Sequence, residues 1–188
     1  MPKSPPLPDW SGRDVFVIGG GPSLTDFDFN LLRGRCAIGC NQAFRKGAEI
    51  CQICAFGDND FWEACGQELE GFGGWVATCY PVPEKTPWLA RYARQDDGLA
   101  FGPTLAWNGH TGALCTNLAL SLGALRVFLL GMDMDCAVGG PNSLAQYPLA
   151  EAKSGPLSEV QGGLLPSGRC TTTCIPGSSD FQRDRWQF

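Results

Sequence analysis

The sequence predicts an α/β protein: a Rossmann-like, mostly parallel sheet with helices on both faces, followed by an irregular C-terminal tail. Three observations predict it. Short, continuous apolar runs alternate with stretches of helical spacing, the pattern of a parallel sheet buried on both faces. The first run, Val15-Phe16-Val17-Ile18, passes directly into Gly19-Gly20-Gly21-Pro22-Ser23-Leu24, the order strand, tight loop, helix start. Later runs also exit into small or polar residues: Cys40-Asn41-Gln42, Gly57-Asp58 and Gly131-Met132-Asp133.

The elements follow in order. Residues 1–13, Pro-rich and polar, are expected to be a flexible N-terminal segment preceding a nucleotide-binding domain over 14–136. Asp14–Ile18 reads as the first strand, and Ser23 as the cap of a helix running to about Leu32. Arg35–Cys40 reads as the second strand, Gln42–Lys46 as a short turn or helix, and Glu49–Phe56 as the third strand. Asn59–Leu69 places Phe61, Trp62, Cys65 and Leu69 at helical spacing. Gly74–Cys79 reads as a fourth strand, and residues 80–107, rich in Pro and aromatics, as a long excursion. Gly109–Leu122 is a small-residue helix closed by Gly123, and Leu125–Leu130 is the strand after it.

Composition narrows the function classes. The chain has 14 basic and 19 acidic residues, a net charge of −5, with the basic residues scattered. That argues against nucleic acid, whose phosphates need clustered Lys and Arg. No run approaches the ~20 apolar residues of a membrane helix. The first 13 residues lack the apolar core of a signal peptide, so the expected location is cytoplasmic. Several of the ten cysteines (Cys36, Cys40, Cys51, Cys54, Cys79 and Cys115) sit in apolar segments, as reduced core thiols do. Cys51 and Cys54 have zinc-knuckle spacing, but no second Cys/His pair at convincing metal spacing accompanies them, and no metal site is expected from them.

In parallel α/β sheets ligands sit at the carboxyl ends of the strands, so candidate chemistry lies there. Gly19, Gly20 and Gly21 let backbone approach a phosphate or ribose, and Pro22-Ser23 opens the next element with a hydroxyl and free amides. A tight turn with a capping serine explains the same residues. The loop is neither GxGxxG nor Walker A. Asn41 offers a donor and an acceptor to a base edge or ribose, with helix capping as the plain alternative. Asp58 suits a ribose hydroxyl, a Mg²⁺ ion or a cap. His110, the single histidine, opens the small-residue helix with Thr111 and Gly112; His110 and Asp133 are the candidate catalytic pair. Asp133 and Asp135 are further candidates for ribose or metal. A nicotinamide enzyme is disfavoured, because no acid ends the second strand, where Asn41 stands.

Three of these elements in this order resemble the bacterial sialyltransferases that use CMP-sialic acid, and the related proteins grouped with 6-hydroxymethyl-dihydropterin diphosphokinase, some of them phage-encoded. The elements are Gly19–Leu24, Cys40-Asn41-Gln42, and Thr111-Gly112 with its helix and the strand into Gly131-Met132-Asp133; together they span about residues 13–135. The resemblance implies a transferase with a nucleotide or nucleotide-sugar donor, CMP-type or ATP, moving a glycosyl or diphosphoryl group. Mg²⁺ on Asp58 or Asp133 is an optional cofactor of such a mechanism. It implies that Gly20 to Ser23 line the nucleotide, that Asn41 contacts base or ribose, that Thr111 stands where the sialyltransferases have a Ser, and that Asp133 matches an acid near ribose or phosphates. The chain departs from that pattern twice. Gly20 stands where the sialyltransferases have Asn, and no His follows His110, where they place a catalytic one. A catalytically incomplete nucleotide-binding accessory protein of phage type is the alternative.

Residues 137–188 change character, with five Pro, seven Gly and six Ser in 52 residues and weak periodicity. Two readings stand: an irregular or disordered tail, or a reading-frame slip near Gly140, since codons for residues 141–147 exist whose next frame reads Pro-Thr-His-Trp-His-Asn.

Overall fold

The computed structural model describes residues 6–82 and 86–133. Six strands form one sheet: β1 (Asp14–Ile18), β2 (Cys36–Cys40), β3 (Ile53–Phe56), β4 (Trp75–Thr78), β5 (Leu89–Arg91) and β8 (Arg126–Leu130). Their order is β5-β4-β3-β2-β1-β8, and all five pairings are parallel. Between β5 and β8 come β6 (Ala93–Gln95) and β7 (Thr104–Ala106), a separate parallel pair. The helices are α1 (Asn59–Glu70) and α2 (Thr111–Ser121). The expected parallel α/β architecture is therefore present.

Alternation along the strands builds two cores. Val15, Val17, Ile38, Ile53, Ala55 and Ala77 point to α2, packing on Leu114, Cys115, Leu118 and Ala119. Cys54, Phe56, Val76 and Leu89 point to the other face, against Phe61, Cys65 and Leu69 of α1. At three-to-four-residue spacing these α1 side chains form one apolar stripe. Beneath β1 and β2 on that second face lie Ile18 and Ala37, covered by Leu24, Leu32, Ala43, Ile50 and Cys51 from turns, not from a helix.

That cover is the first departure from the sequence expectation. The helix expected over Ser23–Leu32 is two short 3₁₀ turns, Pro22–Leu24 and Phe29–Leu32. Asp28 ends the first stretch by capping the second, accepting from the Asn30 amide. Asp and Asn side chains that bond nearby backbone compete with continuous helix. The third strand begins at Ile53 rather than Glu49, because residues 47–51 turn back, with the Ile50 and Cys51 amides both donating to the Gly47 carbonyl. The excursion over 80–107 holds β5, which extends the main sheet, and the β6–β7 pair. Residues 6–13, expected to be flexible, join the fold over their length. Trp10 is buried in the α2-side core and its amide donates to the Leu122 carbonyl, while the Gly12 amide donates to that of Gly123.

β8 differs from the other strands of the β1 neighbourhood. Phe128 and Leu129 are exposed on opposite faces, and Leu125 just before them is exposed too. Asp135, the tail over 137–188 and the proposed frame slip lie outside the described residues. Among the described residues, no helix is long and apolar enough to cross a membrane.

Candidate functional site

The carboxyl ends of β1, β2, β3 and β8 gather beside the start of α2, and every candidate residue from 19 to 133 lies on these loops or at the start of that helix. The geometry divides them into two groups.

The glycine loop and Asp133 form the first group, and they hold each other. The Gly19 amide donates to the Leu130 carbonyl, and the Gly21 amide to that of Gly131 at 2.8 Å. The Ser23 amide and hydroxyl both donate to the Asp133 carboxylate, at 2.8 and 2.6 Å. A Cβ on Gly21 would overlap Asp133 Oδ2 and lie 2.7 Å from the Gly131 oxygen; one on Gly19 would lie 2.9 Å from Met132 Sδ. These glycines are needed because the chain leaving β8 presses against the chain leaving β1. Ser23 sits inside the Pro22–Leu24 turn, whose N-cap is Gly21 without a side-chain cap, so Ser23 is not the expected cap. Gly20 and Pro22 stay on this loop, between the two clamped points.

Asn41, Thr111, Asp58 and Gln42 form the second group. Asn41 follows β2 with φ +50°, a left-handed conformation that asparagine tolerates better than most residues. It does not cap the turn over 41–46; Cys40 occupies that position. The Thr111 hydroxyl donates to Asn41 Oδ1 at 3.3 Å, both residues being buried, so β2 and α2 meet through a polar contact. Asp58 caps α1, its Oδ1 accepting from the Phe61 amide at 2.8 Å. Its Oδ2 is buried without a geometrically formed hydrogen bond among the described residues. Desolvation pushes the Asp58 carboxyl up; the Phe61 amide pulls it down, the Asp60 charge raises it, and hydrogen bonding from Asn41 lowers it.

Gln42 was not a sequence candidate, and the structure adds it. It is 6% exposed, and Arg45 Nη1 donates to its Oε1 at 2.9 Å while Arg45 itself grips Glu68. That contact settles which end of the amide carries oxygen and leaves Nε2 buried without a partner among the described residues. Its signal in the sequence was a polar side chain inside the otherwise apolar stretch Ile38 to Phe44, next to Asn41. Met132 was missed as well; its sulfur lies between Gly19 and Gly112, where an added Cβ would come within 3.0 Å of it.

His110 opens α2 as its N-cap, Nδ1 accepting from the Ala113 amide at 3.2 Å. Burial lowers its pKa to about 4, so it is neutral at pH 7. Gly57 lies against the Trp107 ring, which fills the space between β3's exit and the start of α2. Among the described residues, no three His, Cys, Asp or Glu side chains come together as a metal cage. A cavity of about 280 Å³ lies at the opposite, amino end of the sheet, lined by Arg13, Asp14, Arg35 and Arg126 among others. Its arginines are exposed and Asp14 pairs with Arg126, so it lacks the burial of a built anion site.

No family model, curated protein or solved structure matches this chain.

Proposed function

We propose that the protein binds a nucleotide or nucleotide-sugar, CMP-type or ATP, at the exits of β2 and β3, as the donor site of a transferase moving a glycosyl or diphosphoryl group. The supporting observation is Gln42 Nε2, a buried donor without a partner among the described residues, at the strand exit next to Asp58, whose buried Oδ2 has no hydrogen bond of normal geometry there. Each buried, unmatched polar atom costs roughly 1–3 kcal/mol, which a ligand offering the complementary pair relieves. A base edge or a sugar presents such a pair; a bare phosphate, which only accepts, does not. Asn41 and Thr111 border the same exits and are rigidly placed by their mutual bond. On the glycine loop the amides of Gly19, Gly21 and Ser23 are occupied and Pro22 has none, so phosphate stabilisation there would fall to the Gly20 amide.

A second reading has an observation of its own. His110 is committed to capping α2 and Asp133 to holding Ser23, so both candidate catalytic groups already have structural duties. This favours a nucleotide-binding accessory protein without turnover. Thermal shift with CMP, CTP, ATP, GTP and NAD, each with and without Mg²⁺, tests both. A CMP or CTP shift supports the glycosyl donor, and a Mg²⁺-dependent ATP shift supports diphosphoryl transfer. Either shift should disappear in Asn41→Ala and in Gln42→Leu. No shift with any ligand would overturn the nucleotide site. Binding with no release of CMP or AMP over many hours would favour the accessory role.

A further inference from the structure

We infer that Cys40 and Cys115 are a thiol pair set to close into a disulfide that clamps β2 to α2 directly beneath Asn41 and Thr111, making the geometry of this site redox-dependent. Their sulfurs are 3.4 Å apart, in contact within one core cluster. Closure to a bond of about 2.05 Å needs an approach of about 1.4 Å from the 3.4 Å contact. Cys40 is the last residue of β2 and immediately precedes Asn41. Cys115 lies one helical turn beyond Thr111 on α2. The same two elements are joined above by the 3.3 Å bond from Thr111 to Asn41. A covalent link one turn below must shift or stiffen that bond, since Asn41 is held in a left-handed conformation that leaves its backbone little freedom.

The neighbouring thiols are arranged differently. Cys54 donates to the Asn41 carbonyl and Cys51 to the Ile53 carbonyl, so the sulfur that Cys40 meets is that of Cys115. Burial holds the Cys115 thiol well above its ordinary range, so that thiol stays protonated and slow to react in the closed fold. Cys40, at 9% exposed, is the nearer to solvent. Local opening at the strand exit would admit a small hydroperoxide. The Cys40 thiol gives its proton to solvent and its sulfur attacks one peroxide oxygen. The O–O bond breaks, and the leaving hydroxide takes up a proton to become water. Cys115 sulfur then displaces hydroxide from the Cys40 sulfenic acid, its own proton completing the second water. Two thiols and one hydrogen peroxide become one disulfide and two waters.

The inference does not depend on which ligand the site takes, and its test uses none. The full-length chain is treated with hydrogen peroxide, quenched and mapped by peptide mass spectrometry without reduction. The expected product joins Cys40 to Cys115 with loss of two hydrogens, is reversed by dithiothreitol, and is absent in Cys115→Ala and Cys40→Ala. Amide hydrogen exchange over 41–46 and 111–116 should slow in the oxidised protein, and its melting temperature should rise by more than about 5 °C, because a long loop is closed in the unfolded chain. Three results overturn the proposal: both thiols remain free, they pair with other cysteines or pass to sulfinic acid, or the disulfide forms with exchange unchanged in both segments. If the alanine variants fail to fold, the map of the unsubstituted chain still decides.

Discussion

Replacing Gly21 by alanine decides, by the sign of its effect, whether the glycine loop exists for packing or for open access. Gly21 has φ −70° and ψ 156°, a conformation alanine adopts without strain. Were there space, Gly21→Ala would stabilise the protein by ~0.4–1 kcal/mol by restricting the unfolded chain. There is no space: the new methyl would overlap Asp133 Oδ2 and sit 2.7 Å from the Gly131 oxygen. Asp133 can swing away only by giving up two bonds from Ser23, worth together about 1 kcal/mol at an exposed site. The Gly131 oxygen cannot swing, because it is backbone that accepts from the Gly21 amide just beyond β8. Overpacking of this kind costs ~1–3 kcal/mol, so the net expectation is destabilisation by about 1–2 kcal/mol. Urea unfolding at constant m-value measures it. Gly21→Ala combined with Asp133→Ala should be less destabilised than the sum of the singles by about 1 kcal/mol, the carboxylate part of the clash having gone. A neutral or stabilised Gly21→Ala would refute the packing argument and return the loop to an open, ligand-facing role.

Three further outcomes are expected. His110 has a folded pKa of about 4 against an ordinary value of 6.5, so between those values the unfolded chain binds more protons and stability falls as pH drops. Relative to His110→Asn, which keeps a capping oxygen, the loss from pH 7 to pH 5 should be about 2 kcal/mol; parallel pH profiles for the two proteins would sink the assignment. Gly57→Ala would drive a methyl into the Trp107 ring and should cost roughly 2–3 kcal/mol with a change in tryptophan emission; unaltered emission and stability would place Trp107 elsewhere. Asp58→Ala should lose about 1 kcal/mol with the α1 cap, whereas Asp58→Asn keeps the acceptor and sheds a buried charge. Equal melting temperatures for the two substitutions would contradict that division.

Much of the scaffold was legible in the chain because strand burial writes itself in apolar runs. β1, β2 and β4, together with both helices, lie within a residue or two of the expected bounds. Asp58 was readable as a cap for the same local reason: a polar side chain before a helical run finds the free amides of the first turn. The capping role of His110 emerged only in the structure. The Ser23–Leu32 segment misled because its apolar spacing suits a helix, while Asp28 and Asn30 close local bonds that break it into two turns.

What the sequence determined by itself was local: where strands and helices form, and that polar groups cluster at the strand exits. Only the tertiary structure decided what those groups face. Asp133 and Ser23 are 110 residues apart and meet because β8 pairs with β1. Cys40 and Cys115 touch, and Asn41 meets Thr111, because α2 lies across β2. Gln42 and Asp58 stand at adjacent strand exits because β2 and β3 are neighbours. The three glycines read in sequence as room for a phosphate, and the fold gives that room to Gly131, Met132 and Asp133. The reason is physical: apolar periodicity reports burial one element at a time, whereas the partner of a polar atom is set by which elements become adjacent.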